Sequence, residues 1–257
     1  MTVVLVHGNP ETPVIWDRLA AELHASGYGN AVRLSPPGFG APLPDEFVPT
    51  PDSYRDWLVG ELEGFDEPVD LVGHDWGGVH VANVAMHRPE LVRSWASDAF
   101  GVLEPDYRWH PLAQIWQTPG AGEEWVADHL SLSTTQRTEV YRRLGIAADC
   151  ARQLAGSFDR TMADAILALY RAAAQPTMLR IGERLEAAAR SPGLAFVAGA
   201  DPNVGTDAQR RRAAARAGAQ LCELPQAGHW WMTHPGESAA GVAALTGLWD
   251  AVGVSSS

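Results

Sequence analysis

Six residues, Gly73-His74-Asp75-Trp76-Gly77-Gly78, stand between an apolar run, Val69-Asp70-Leu71-Val72, and a helical pattern from Val79 to His87. Three glycines in so short a connection predict a tight turn, because only small neighbours let two backbones pass that closely. A strand that turns straight into a helix belongs to a parallel sheet with crossover helices. The rest of the first half follows the same rule. Short apolar runs predict strands near 2–6, 31–34, 69–73 and 92–97, with helices near 13–25, 51–63 and 77–87. Asp52 and Ser53 are candidate N-caps of the second helix. Residues 35–50 are too rich in proline and glycine for regular structure and read as a long loop.

After Phe100 the alternation stops. Residues 103–185 read as helical throughout, with aromatics at Tyr107, Trp109, Trp116 and Trp125. The alternation then resumes with a strand at 194–199, a helix at 206–217, a strand at 219–224 and a last helix at 236–250. The expected architecture is therefore α/β, a mostly parallel central sheet flanked by helices. Its core comprises 1–102 and 186–257, interrupted by a helical insertion at 103–185. The closing Ser255-Ser256-Ser257 reads as a frayed tail.

Composition narrows the function classes. A formal net charge of −12 argues against nucleic acid, since phosphate contacts need clustered basic residues. All 19 basic residues are arginine, which excludes Schiff-base chemistry and a P-loop lysine. No apolar run reaches the ~18–20 residues of a membrane span. The first strand is too short for a signal peptide and lacks its basic flank. Two cysteines, Cys150 and Cys222, make no disulfide framework and suit a cytoplasmic setting. A 46% hydrophobic fraction supports a packed core.

The turn at 73–78 fits the pattern G-x-nucleophile-x-G with Asp75 in the middle. Such a turn lifts the central side chain above the sheet edge, and the helix that follows points its positive end at it. A generic strand-to-helix turn accounts for these six residues equally well. Three further segments tip the balance: His7-Gly8-Asn9-Pro10, Ala200-Asp201-Pro202-Asn203 and Gly228-His229-Trp230-Trp231. Each follows a predicted strand, at the edge where open α/β sheets bind ligands. An N–H of the first loop and the N–H of Trp76 are placed to face one developing negative charge. The order is nucleophile, acid, histidine. His7 and His74 read as parts of the motif frames. His80, His87 and His234 have no metal-ligand spacing, so no metal is expected; Gly38-Phe39-Gly40 follows two prolines with no helix opening there, which is no dinucleotide fingerprint, and no organic cofactor is expected either.

On these segments the chain resembles the α/β-hydrolase fold superfamily over nearly its full length. It is most similar to the branch with an aspartate nucleophile, the haloalkane dehalogenases and epoxide hydrolases. The resemblance makes residues 103–185 a cap domain. It departs from the family in lacking two strands that usually precede the one at 2–6. It implies that Asp75 displaces a leaving group from saturated carbon, giving an alkyl ester. Water activated by His229 then attacks the ester carbonyl, with Asn9 and Trp76 forming the oxyanion hole. Asp201 orients His229, with Asp98 as the alternative acid because some dehalogenases carry theirs after that strand.

Two leaving groups remain open. A dehalogenase would cradle the halide between the Trp76 indole and the Asn9 amide, both neutral donors. An epoxide hydrolase would need phenols to protonate the ring oxygen, for which the cap offers Tyr107, Tyr141 and Tyr170. The dehalogenase-like reading is placed slightly ahead. A catalytically silent binding module on the same scaffold is the alternative from another class. Trp109, Trp116, Trp125 and the Trp230-Trp231 pair suggest an apolar pocket for a neutral small molecule, in a monomer or homodimer.

Overall fold

Short apolar runs build a sheet of six strands, β1 (Val3–Val6), β2 (Val32–Leu34), β3 (Val69–Gly73), β4 (Val92–Ser97), β5 (Gly193–Ala198) and β6 (Gln220–Leu224). The structure, a computed structural model, describes residues 1–255. The strand order is β2-β1-β3-β4-β5-β6, and every neighbouring pair is parallel. β1 and β3 are buried along their whole length, as strands covered on both faces must be. Asp70 inside β3 is matched by Arg93 and by the Ser94 hydroxyl.

Helices α1 (Asp17–Ala25), α2 (Pro51–Leu62), α3 (Trp76–His87), α10 (Asp207–Arg216) and α11 (Pro235–Ser255) cover the sheet. One apolar cluster gathers α2, α3 and α10, and a second gathers α1 and α11. Ser255 ends α11, while Ser256 and Ser257, the rest of the expected frayed tail, lie outside the described residues. The N-cap of α2 is Thr50, whose hydroxyl accepts the Ser53 N–H at 3.0 Å; neither Asp52 nor Ser53 caps it. Pro51, with its fixed φ, starts the helix earlier than the acidic pattern suggests.

Between β4 and β5 the chain forms α4 (Pro111–Gln117), α5 (Ala121–Ser131), α6 (Thr134–Leu144), α7 (Ala148–Ala155), α8 (Arg160–Ala172) and α9 (Thr177–Gly182), with no strand among them. Buried Arg137 fastens this layer: its guanidinium donates to the carbonyls of Ala155 at 2.7 Å, His129 at 3.2 Å and Leu132 at 3.2 Å. The two connections to the core lie side by side. A Cβ on Gly182 would sit 2.1 Å from the Leu103 carbonyl oxygen, so only glycine permits the contact. Arg216 of α10 donates to the Gly182 carbonyl at 2.6 Å and to buried Glu104 at 3.0 Å, pinning both connections to the core.

From β1 the chain runs outward to β2, then returns to β3 on the other side of β1. The loops after β1 and β3 therefore leave in opposite directions and open a crevice at the carboxyl edge.

Candidate active site

Asp75 stands at that crevice between β3 and α3. Its φ of 51° and ψ of −123° make it the one non-glycine residue with positive φ among the described residues. Such a backbone is held at a cost of about 1–3 kcal/mol, and the surrounding packing must impose it. Gly77 shows how tight that packing is: a Cβ there would lie 2.1 Å from the Val6 carbonyl oxygen of β1.

The four sequence segments converge here. The backbone N–H of Asn9 donates to Asp75 Oδ1 at 3.0 Å. Trp76 is the first residue of α3, where main-chain N–H groups have no helical partner. His229 Nε2 lies 3.6 Å from Asp75 Oδ2, and its Nδ1 is 2.7 Å from Asp201 Oδ2. Asp201 in turn accepts the Asn203 N–H at 2.7 Å. The rings and carboxylates are withdrawn from solvent, so their charges interact strongly. Burial opposes a charge on His229, but the adjacent Asp201 carboxylate outweighs it and raises the imidazole above its ordinary pKa. Burial likewise works against Asp201, and the charge of His229 draws it below the usual carboxylate range. Asp75 goes the other way. Burial raises it from 3.8 to about 6, with His229 pulling in the opposite direction.

The sign of the last shift gives a stability prediction. The folded chain holds the Asp75 proton more tightly than the unfolded chain, so stability falls as pH rises from about 4 to about 6. Asp75→Asn removes this burden. It is expected to be more stable than wild type at pH 8 by up to about 3 kcal/mol, with the gap closing below pH ~4. Urea unfolding at the two pH values measures it, and an equal gap at both would contradict the assignment.

Asp98 does not meet His229. Its Oδ1 accepts the Asp75 N–H at 3.0 Å, and its Oδ2 is 2.6 Å from His74 Nδ1 and accepts the Trp231 indole at 2.8 Å. The alternative acid is thus a brace of the turn. Glu11, which no sequence pattern marks, completes the buried layer. It accepts the Gly8 N–H at 3.0 Å, contacts His74 Nε2 at 3.1 Å and receives the Trp230 indole N–H. Burial opposes the charge on His74, but Asp98 and Glu11 outweigh it and raise its pKa well above normal, so the ring carries a proton between two carboxylates. Glu11, His74 and His229 place ligand atoms within 4.8 Å of one another. Both nitrogens of His74 are already committed to carboxylates, and a cation there would face an imidazolium.

Above Asp75 the cap leaves a narrow, partly open cavity, lined among others by Trp76, Tyr107, Trp109, His110 and Tyr170. Trp109 stacks over Trp76 at 5.8 Å between centroids, and Tyr170 meets Trp76 edge-on at 5.5 Å. Of the three candidate tyrosines, Tyr107 and Tyr170 line this space. Tyr141 does not: it packs in the other apolar cluster, its hydroxyl 3.5 Å from His129 Nε2. Trp125 stacks on His129 away from the cavity, and Trp230 and Trp231 serve as buried donors to Glu11 and Asp98. Of the five tryptophans expected to line a pocket, only Trp109 does so. His110 and Asn203 line it too, and nothing in their sequence spacing marks them.

A turn that lifts a carboxylate over the carboxyl edge of a parallel sheet, faced by an Asp–His pair from the last two strands, defines an α/β-hydrolase. A model of the alpha/beta hydrolase family matches residues 3–241, and the chain belongs to that family. Among curated proteins it is similar to an epoxide hydrolase of Caballeronia sordidicola, 33% identical over 107 residues, which are 40% of this chain and 31% of that protein. It is also similar to epoxide hydrolase 2 of Siraitia grosvenorii, 33% identical over 98 residues, 36% of this chain and 30% of the other. These matches span about a third of each relative's length. Among solved structures it resembles the haloalkane dehalogenase DatA from Agrobacterium tumefaciens, with a TM-score of 0.73 and 21% identity over 96% of this chain and 89% of that one. The thioesterase domain from the curacin biosynthetic pathway aligns with a TM-score of 0.68 at 16% identity over 95% and 90% of the two chains. At such identities the structures establish a shared fold. No helix among the described residues is long and apolar enough to cross a membrane.

Proposed function

We propose that this hydrolase opens small epoxides to vicinal diols through an ester of Asp75. One observation carries the reading: Tyr170, a fully buried phenol, lines the same cavity as Asp75 and meets the Trp76 indole edge-on, 5.5 Å between ring centroids. Burial, followed by the nearby Asp75 charge, raises its pKa well above normal, so it stays protonated. The indole that would hold a halide thus packs against a phenol that keeps its own hydrogen.

In the first step a carboxylate oxygen of Asp75 attacks an epoxide carbon. The carbon–oxygen bond breaks, and its electron pair goes to the oxygen, which takes the Tyr170 proton. In the second step His229 accepts a proton from water, and the resulting hydroxide attacks the ester carbonyl. The N–H groups of Asn9 and Trp76 stabilise the tetrahedral oxyanion. Its collapse frees Asp75 and the diol, and the His229 proton returns to the phenolate by way of solvent. Asp201 holds His229 in the required tautomer.

Dehalogenation is the second reading, and a specific observation favours it: the Asn9 side-chain amide nitrogen is buried with no partner, a free neutral donor. Small epoxides and haloalkanes assayed side by side, for diol and for halide, separate the two. Tyr170→Phe is expected to slow epoxide turnover by ~10²–10³-fold, the usual effect of losing one donor to a developing oxyanion. Halide release without diol formation would overturn the epoxide reading in favour of the other.

A further inference from the structure

A site roofed by a cap needs an entrance, and burial shows where it lies. Val79, Ala99, Val102 and Val204 are buried and form a fixed apolar wall of the cavity. Besides Asp75, the lining residues that reach solvent are Trp109, His110 and Asn203, so these form the mouth.

Two of them are tethered by hydrogen bonds. Asn203 donates its N–H to Asp201 Oδ1 at 2.7 Å, and its carbonyl accepts the Tyr107 hydroxyl at 2.7 Å. His110 is the N-cap of α4, and its Nδ1 accepts the Ala113 N–H at 3.3 Å. Trp109 differs. Its carbonyl accepts the Gln114 amide at 2.6 Å, which anchors the backbone. Its indole N–H is buried with no partner among the described residues. The ring is held by aromatic contacts: it stacks on Trp76 at 5.8 Å and meets Tyr107 at 5.3 Å and Tyr170 at 5.4 Å edge-on. A buried donor without an acceptor opposes the packing that those rings favour. Turning outward would return the N–H to water and clear the space over Asp75. Trp109 is therefore the part of the mouth that can give way.

Resting on the epoxide reading, we propose that Trp109 is the specificity-determining residue of the site: its indole is a plug in the mouth that sets how broad an epoxide can reach Asp75. A terminal epoxide with one short alkyl group presents a bare methylene to the carboxylate and passes the ring. An epoxide with an aryl group on each carbon must push the indole aside, at the loss of its three ring contacts. The substrate class is thus the slender terminal epoxides. The selection is made by shape, apart from the groups that carry out the chemistry.

The test compares kcat/KM for 1,2-epoxybutane and trans-stilbene oxide in the wild type, Trp109→Phe and Trp109→Ala. Wild type should favour epoxybutane. In Trp109→Ala the preference is expected to move toward stilbene oxide by at least ~10-fold, since a single methylene in an apolar pocket is already worth roughly 10–200-fold. The shift should come from faster turnover of stilbene oxide, which a merely structural residue would not produce. Trp109→Phe, narrower by one ring, should fall between the two. Circular dichroism and thermal midpoints serve as the folding check, and Trp109→Phe carries the test if Trp109→Ala does not fold. An unchanged preference in a folded variant overturns the role of Trp109 and leaves the epoxide reading standing. An equal fall with both epoxides marks a structural ring and also overturns it. A wild-type enzyme that forms no Asp75 ester from any terminal epoxide overturns both.

Discussion

His229→Gln is expected to stop turnover and leave Asp75 esterified. The imidazole is 3.6 Å from one carboxylate oxygen of Asp75 and is held from behind by Asp201 at 2.7 Å. A ring so placed cannot be the nucleophile's activator, because a carboxylate needs none. In the proposed mechanism it takes a proton from the water that attacks the ester. Glutamine cannot take that proton, yet it fills much of the same volume in a site only 5% exposed at this side chain. Ester formation should therefore continue while hydrolysis falls by ~10⁴-fold, the upper end for a general base in a site without a substitute. Intact-mass spectrometry after incubation with substrate should show one added substrate mass, located on the peptide containing Asp75. Both the epoxide and the halide readings require this. An unmodified protein that has consumed substrate would remove Asp75 from the chemistry, and one that has consumed none would favour the silent binding module.

Gly77→Ala is expected to cost about 4 kcal/mol or more, a value in the tail of single substitutions. The new methyl would meet the Val6 carbonyl oxygen at 2.1 Å and the His7 carbonyl oxygen at 2.6 Å. These atoms are backbone, so no rotamer change relieves the contact. Overpacking that side chains can absorb costs about 1–3 kcal/mol. β1 cannot retreat either, because Val6 pairs with Gly73 and its carbonyl accepts the His74 N–H at 3.0 Å. Against a total stability of about 5–15 kcal/mol for a typical domain, much of the margin disappears. Gly60 supplies the contrast. It lies in α2, where an added methyl would find nothing within 4 Å, and Gly60→Ala should stabilise by about 0.5–1 kcal/mol. Urea midpoints of the two variants should move in opposite directions. A Gly77→Ala protein as stable as wild type would contradict the close passage of β1 and α3.

The strands were legible because a strand buried on both faces must be mostly apolar, and β1, β5 and, apart from Asp70, β3 are. The elbow was legible for a related reason: Gly77 leaves no room for any other residue. Glu11 was not, because a charged residue in a loop ordinarily faces water. Its burial depends on a local donor, Gly8, and on two that are distant in sequence, His74 and Trp230. Asp98 and Asp201 each follow a strand, and only the approach of the last loop decides which one meets His229. Tyr141 failed as a candidate because a buried helix presents tyrosine to whichever layer covers it. The short loop before α4 hid His110, since an N-cap position says nothing about what the far side of a ring faces.

Because the cap leaves and rejoins the core at adjoining points, its length and helix count are free of the sheet's geometry. Further contacts, such as Tyr107 to the Asn203 carbonyl and the Ala147 N–H to the Thr233 hydroxyl, join side chains and loops and leave the strands themselves untouched. Under the proposed function, the wall that Tyr107, Trp109 and Tyr170 build over Asp75 is thereby a replaceable part, while the sheet edge that carries Asp75, Asp201 and His229 is not.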